Sequence, residues 1–173
     1  MGFGQAVRHG VEVVKLNRSA YRKVARDPLA FAPALMITAL AGLAMWLAPP
    51  HWPLLGLVTG PLISLFSLFL AATVLHFVAT WMGGRGEYLV FLRVFGAGRV
   101  LGWLEIVPLV GTVAQLWSLV IAVVAVEELY GLDQSKAILT VLIPAAGLLL
   151  VSLVVVLVQL ALLGGLMTGG HFF

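Results

Sequence analysis

Five apolar runs, each about as long as a bilayer is thick, take up most of this chain of 173 residues. A hydrocarbon core of roughly 30 Å needs about 20 helical residues. The runs 29–48, 54–81, 88–107, 109–130 and 137–162 supply them. Lipid offers no partner to a bare N–H or C=O group, so each run is expected to be an α-helix. Composition agrees: 62% of the residues are hydrophobic and 10% charged, where a soluble domain carries about a quarter charged residues. Too few polar side chains remain to cover a surface in water. The expected fold is all-α: one polytopic membrane domain over residues 1–173, with five transmembrane helices preceded by an N-terminal amphipathic interfacial helix.

The third run strains this scheme. It carries Arg93, Arg99 and Glu105 together with Gly96, Gly98 and Gly102. In a regular helix begun at Tyr88, Arg99 lies roughly 16 Å deep, where a charge costs at least about 2.5–3.5 kcal/mol. Arg99 must therefore face the bundle, find a carboxylate, or sit beside a break. A break near Gly96–Gly98 is the reading adopted, with residues 88–95 lying along the inner interface. Arg93 is shallow enough to snorkel.

Six of the ten Lys and Arg fall between Arg8 and Arg26. At 100° per residue Arg8, Lys15, Arg18, Arg22, Lys23 and Arg26 share one arc, and Ala6, Val7, Val13, Val14, Ala20, Tyr21 and Val24 fall mostly opposite. Such a helix suits the headgroup region; the plainer alternative is a solvated helix packed on its own protein. Asp27-Pro28 ends it. Because the segment leads into an apolar run, anionic lipid or a protein partner is expected on Arg8, Lys15, Arg18, Arg22 and Arg26, and no nucleic acid. No cleaved signal peptide is expected, since Pro49 and Pro50 stand where a small-residue cleavage site belongs. Asn17-Arg18-Ser19 matches a glycosylation sequon but falls on the cytoplasmic side in this topology.

Loop charge gives the orientation. Arg85 lies between runs two and three and Lys136 between runs four and five, while 49–53 and Pro108 carry no Lys or Arg. The positive-inside rule puts the N-terminus in the cytoplasm and the C-terminal residues 170–173 outside. Trp46, Trp52, Trp81 and Trp103 fall near run ends, as an aromatic belt requires. The pairs Gly56/Gly60, Gly98/Gly102 and Gly165/Gly169 permit close helix approach, within the protomer or between protomers.

Polar motifs are few. Gly83-Gly84-Arg85-Gly86-Glu87-Tyr88 lacks the ending of a phosphate-binding P-loop and reads as a tight turn. His76, on the inner third of run two, is a candidate to pair with Glu127 or Glu128. Asp133 or Ser135 can cap run five. There is no cysteine. No catalytic set or metal cluster has convincing spacing, so no enzyme, cofactor or metal is expected.

His76, then Gly83-Gly84-Arg85-Gly86-Glu87-Tyr88, then Trp117, then Glu128-Leu129-Tyr130-Gly131-Leu132-Asp133-Gln134-Ser135-Lys136-Ala137 occur in an order that resembles the YIP family (Ypt-interacting protein domain). The resemblance covers roughly residues 9–162. It implies five membrane helices with a cytosolic N-terminus. Eukaryotic members serve vesicle traffic at the endoplasmic reticulum and Golgi, with Rab-type GTPases or other members as partners. This chain has only about 27 residues before its first run, and Phe95-Gly96-Ala97-Gly98-Arg99 where the family often has a tyrosine-containing stretch ending in proline. It is more similar to short bacterial members in a cell inner (plasma) membrane, and Rab binding is not expected. Two functions are weighed. One is a non-enzymatic scaffold that organises membrane or recruits partners, as a homo- or hetero-oligomer. The other is a small transporter or permeation subunit using His76, Arg99, Glu105, Gln115 and Glu127 inside the bundle.

Overall fold

The computed structural model describes residues 1–47 and 53–169, so the expectations about the 49–53 loop, Trp52 and residues 170–173 fall outside it. Its elements are α1 (Phe3–Val14), α2 (Arg18–Arg26), a 3₁₀ turn Pro28–Ala30 leading into α3 (Phe31–Leu47), α4 (Pro53–Trp81), α5 (Tyr88–Gly98), a 3₁₀ segment Arg99–Ile106, α6 (Pro108–Tyr130) and α7 (Gln134–Gly169). No strand occurs among the described residues. Four helices are long and apolar enough to cross a membrane: Pro28–Leu47, Leu55–Trp81, Leu109–Tyr130 and Gln134–Leu162.

The third expected span is not among these four. Its α-helix runs 11 residues, and the backbone then tightens into eight residues of 3₁₀ helix from Arg99. The change falls at the glycine-rich stretch where a break was expected, but it is a change of helix type in a continuous segment, and residues 88–95 pack among five helices where a course along the interface was expected. The 3₁₀ segment is only partly enclosed, with Val100 and Gly102 buried and Leu104 and Ile106 each 48% exposed, whereas α5 is well covered. Phe91, Leu92, Val94, Ala97 and Val100 are buried, and α5 packs against α1, α2, α3, α4 and α6. The Arg85 N–H donates to Tyr130 O at one end of α6 (3.1 Å), and a Cβ at Gly111 would lie 3.0 Å from Glu105 Cα at the other. The two pieces together therefore run the length of α6, about 34 Å for 23 residues.

The N-terminal segment also departs from expectation. It is two helices, broken at Lys15, Leu16 and Asn17. Leu16 takes φ 61°, a left-handed conformation that costs a leucine roughly 1–2 kcal/mol. Asn17 starts α2 by accepting from Ser19 N–H at 3.1 Å, so the sequon triplet is a helix cap. The apolar arc packs on the chain's own bundle: Ala6, Val13, Ala20, Tyr21 and Val24 are each 2% exposed or less. That is the plainer of the two alternatives.

Small residues bring α3 and α4 together. Gly42 and Gly60 face each other so closely that a Cβ on either would meet the other's carbonyl. Ser64 donates to Thr38 O at 2.9 Å beside them. Of the glycine pairs, Gly56 and Gly60 pack on Trp46, and Gly98 and Gly102 pack on Ile121 and Ala41, all within the chain. The chain divides into two compact units, residues 1–141 and 142–173. In the second, α7 leaves Leu148, Leu149, Val151, Leu157 and Leu162 more than half exposed. An apolar helix open on every face is a lipid-facing pattern.

Candidate functional site: the polar end of the bundle

Helix ends leave carbonyls without partners, and long side chains supply them where the α1–α2 hairpin meets the bundle. Tyr21 OH donates to Val13 O (3.0 Å) and Trp117 Nε1 to Val14 O (2.9 Å), closing the end of α1. Arg93 Nη1 donates to Ala25 O (3.1 Å) at the end of α2. It is a cap, where snorkelling was expected. Burial holds the Tyr21 phenol well above its ordinary range. None of these three roles has a local sequence signature, although Trp117 belonged to the family constellation.

The carboxylates at the end of α6 would be unfavourable beside its partial negative charge. Arg18 answers both, reaching Glu128 Oε1 at 2.6 Å and Glu127 Oε1 at 2.8 Å, and Arg22 Nε lies 3.7 Å from Glu128 Oε2. Hydrogen bonds to Glu128 and Glu127 hold Arg18 above its ordinary range. Lys15 pairs with Glu12 at 3.0 Å. Half of the basic stripe is thus spent within the chain. Arg8, Lys23 and Arg26 are exposed and have no ion pair among the described residues.

His76 pairs with neither glutamate. Its Nδ1 lies 2.6 Å from Tyr130 OH, and its ring meets Tyr88 edge-on at 5.5 Å. Tyr88 OH in turn lies 3.2 Å from Thr73 Oγ1. The loop after α4 completes this joint. Gly83, at φ 94°, and Gly84 close α4 in a Schellman turn through Thr80 O and Ala79 O. A Cβ at Gly84 or Gly86 would stand 2.8 or 2.7 Å from the Tyr130 side chain. The family motif joins α4, α5 and α6, with Tyr130 as its hub. Gly131, at φ 66°, ends α6, and Asp133 Oδ2 accepts from Lys136 N–H at 3.2 Å to begin α7.

Between α1 and α2 lies an open cleft of about 640 Å³, lined by Gln5, Arg8, His9, Glu12, Lys23 and Asp27 among others. Asp27 pairs with the chain's terminal ammonium at 3.4 Å and accepts from Leu29 N–H at 2.9 Å. Glu12 is held by Lys15 and Asn17, which lower it from its ordinary range.

The five intramembrane candidates do not form one site, and none lines this cleft. Glu127 belongs to the Arg18 pairs, His76 to the tyrosine joint, and Gln115 is exposed. Only Arg99 and Glu105 act on each other electrostatically. Arg99 Nε is buried and has no hydrogen-bond partner. Among the described residues no three His, Asp or Glu gather in a way that could hold a metal ion.

A family model described as the Yip1 domain matches residues 11–157. No curated protein and no solved structure matches the chain.

Proposed function

The chain belongs to the Yip1 domain family, and from that premise we propose that this membrane protein is a non-enzymatic scaffold whose N-terminal hairpin presents a fixed cationic platform at the cytoplasmic surface. One observation carries the reading: the apolar face of the hairpin is locked into the bundle while Arg8, Lys23 and Arg26 stay exposed and unpaired. A free amphipathic helix inserts its apolar face into lipid. Most of this one's apolar face is taken up by the bundle, Phe3 and Val11 alone of its large apolar residues standing exposed, so its attraction to a surface is mainly electrostatic, about 1 kcal/mol per basic residue near anionic lipid. Partners are anionic lipid and acidic surfaces of membrane proteins, including further copies.

In this reading the chain crosses a plasma membrane five times, the third crossing being made by α5, which packs on five other helices, and by its partly exposed 3₁₀ continuation. Arg85 meets α6 at Tyr130 and Arg18 pairs with Glu127 and Glu128 beside it, while the turn at Val107 and Pro108 carries no charge, which supports a cytoplasmic N-terminus. The test is flotation of the purified chain in nanodiscs with vesicles containing phosphatidylglycerol. Neutralising Arg8, Lys23 and Arg26 together weakens association, whereas Lys15→Gln leaves it unchanged. Equal effects from the two would remove the platform.

A permeation role has one observation in its favour, the unpartnered Arg99 Nε at the break in the third segment. It requires liposome flux that Arg99→Ala abolishes.

A further inference from the structure

We propose that the cleft between α1 and α2 binds a phosphate group, carried by a lipid headgroup or by a soluble phosphomonoester. The inference deepens the platform reading and rests on it. Two walls line the cleft, with Arg8 and His9 on α1 and Lys23 on α2. Its two carboxylates are already engaged, Glu12 by Lys15 and Asn17, and Asp27 by the terminal ammonium and the Leu29 N–H. Arg8 and Lys23 form no ion pair among the described residues and line one cavity, Arg8 acting on Glu12 only at longer range. The Gln5 Oε1 accepts from Gly2 N–H, which leaves its amide N–H groups as further donors.

A volume of about 640 Å³ holds a phosphorylated headgroup or a small sugar phosphate. A guanidinium and an ammonium on opposite walls suit a tetrahedral anion that accepts from several directions, and an arginine fork can engage two of its oxygens. The walls are already in place. Ala6, Val13, Ala20 and Val24 anchor them in the bundle, so little ordering is needed on binding. A bound phosphate ties α1 to α2 across the left-handed joint at Leu16.

In the test, the full chain in dodecyl maltoside is titrated with dihexanoyl phosphatidic acid, glycerol 3-phosphate and inorganic phosphate while thermal unfolding is followed. Saturable stabilisation is expected. Arg8→Gln and Lys23→Gln each weaken it at least about tenfold, the range for loss of a charge-assisted hydrogen bond. Arg8→Lys retains part of it, and Arg26→Gln, outside the cleft, changes it less than about twofold. Stabilisation by phosphatidic acid alone assigns a lipid headgroup; equal stabilisation by glycerol 3-phosphate assigns a soluble phosphomonoester. Absence of saturation with all three, or an equal loss in Arg26→Gln and Arg8→Gln, overturns the proposal. Vesicle flotation reads the platform separately. Association retained without saturable stabilisation leaves the platform standing and removes the cleft.

Discussion

Tyr21 is the pin of the hairpin, and its removal should loosen the first 26 residues while leaving the bundle folded. The side chain is 0% exposed, and truncating a buried aromatic to alanine costs about 3–5 kcal/mol. Tyr21→Phe keeps the ring and loses one hydrogen bond to Val13 O. That carbonyl still accepts from Leu16 N–H at 2.9 Å, so it is not orphaned and the cost stays near 1 kcal/mol. At 1.4 kcal/mol per tenfold, opening of the hairpin should rise roughly fivefold in Tyr21→Phe and more than about a hundredfold in Tyr21→Ala. Hydrogen exchange of the amides 18–26 in detergent reads this, with the amides 118–126 of α6 as internal reference. If α2 exchange in Tyr21→Ala stayed within about twofold of the parent, the hairpin would not be held by this core.

Trp117→Phe removes the donor to Val14 O and should raise exchange at the end of α1 by several-fold, near 1 kcal/mol. Gly86→Ala drives a Cβ against Tyr130 and the Leu129 carbonyl, costing about 1–3 kcal/mol as overpacking does. It should lower the melting temperature in detergent, while Gly147→Ala, with nothing within 4 Å of its added Cβ, should not. Tyr130→Phe deprives His76 of its partner and should destabilise by about 0.5–1.5 kcal/mol in denaturant titration. Arg18→Gln and Glu128→Gln should each loosen the hairpin in exchange measurements, and the double variant should lose less than the sum of the two singles because they share one ion pair.

The long helices were legible because hydrophobic length is a local property. The expected runs 54–81 and 109–130 lie within a residue of α4 and α6. The glycines around Arg99 marked where the helix type changes, since the cost of a lone deep charge and the weakness of glycine in helices point to the same place, but not that the segment would continue as 3₁₀ helix packed along α6. Other features had no local signal. A leucine in the left-handed region at position 16 has no composition cue, and Asn17 was read only as part of a sequon where the structure makes it the cap of α2. Amphipathicity states that a face must be buried but not in what, so lipid was expected for Val13 and Tyr21 where the structure supplies protein. Partners were the least legible. His76 was matched to Glu127 or Glu128 because the expected topology put them at the same end of the bundle, whereas the structure gives it the Tyr130 hydroxyl from that end of α6.

The absence of cysteine makes side-specific labelling the most direct measurement. Single cysteines at Lys15→Cys, Asp133→Cys and Val107→Cys would be probed with an impermeant thiol reagent in inverted and right-side-out vesicles. The account predicts that the first two label only in inverted vesicles and Val107→Cys only in right-side-out ones. Labelling of Val107→Cys from the same side as Lys15→Cys would show that residues 88–107 do not cross, and would contradict it.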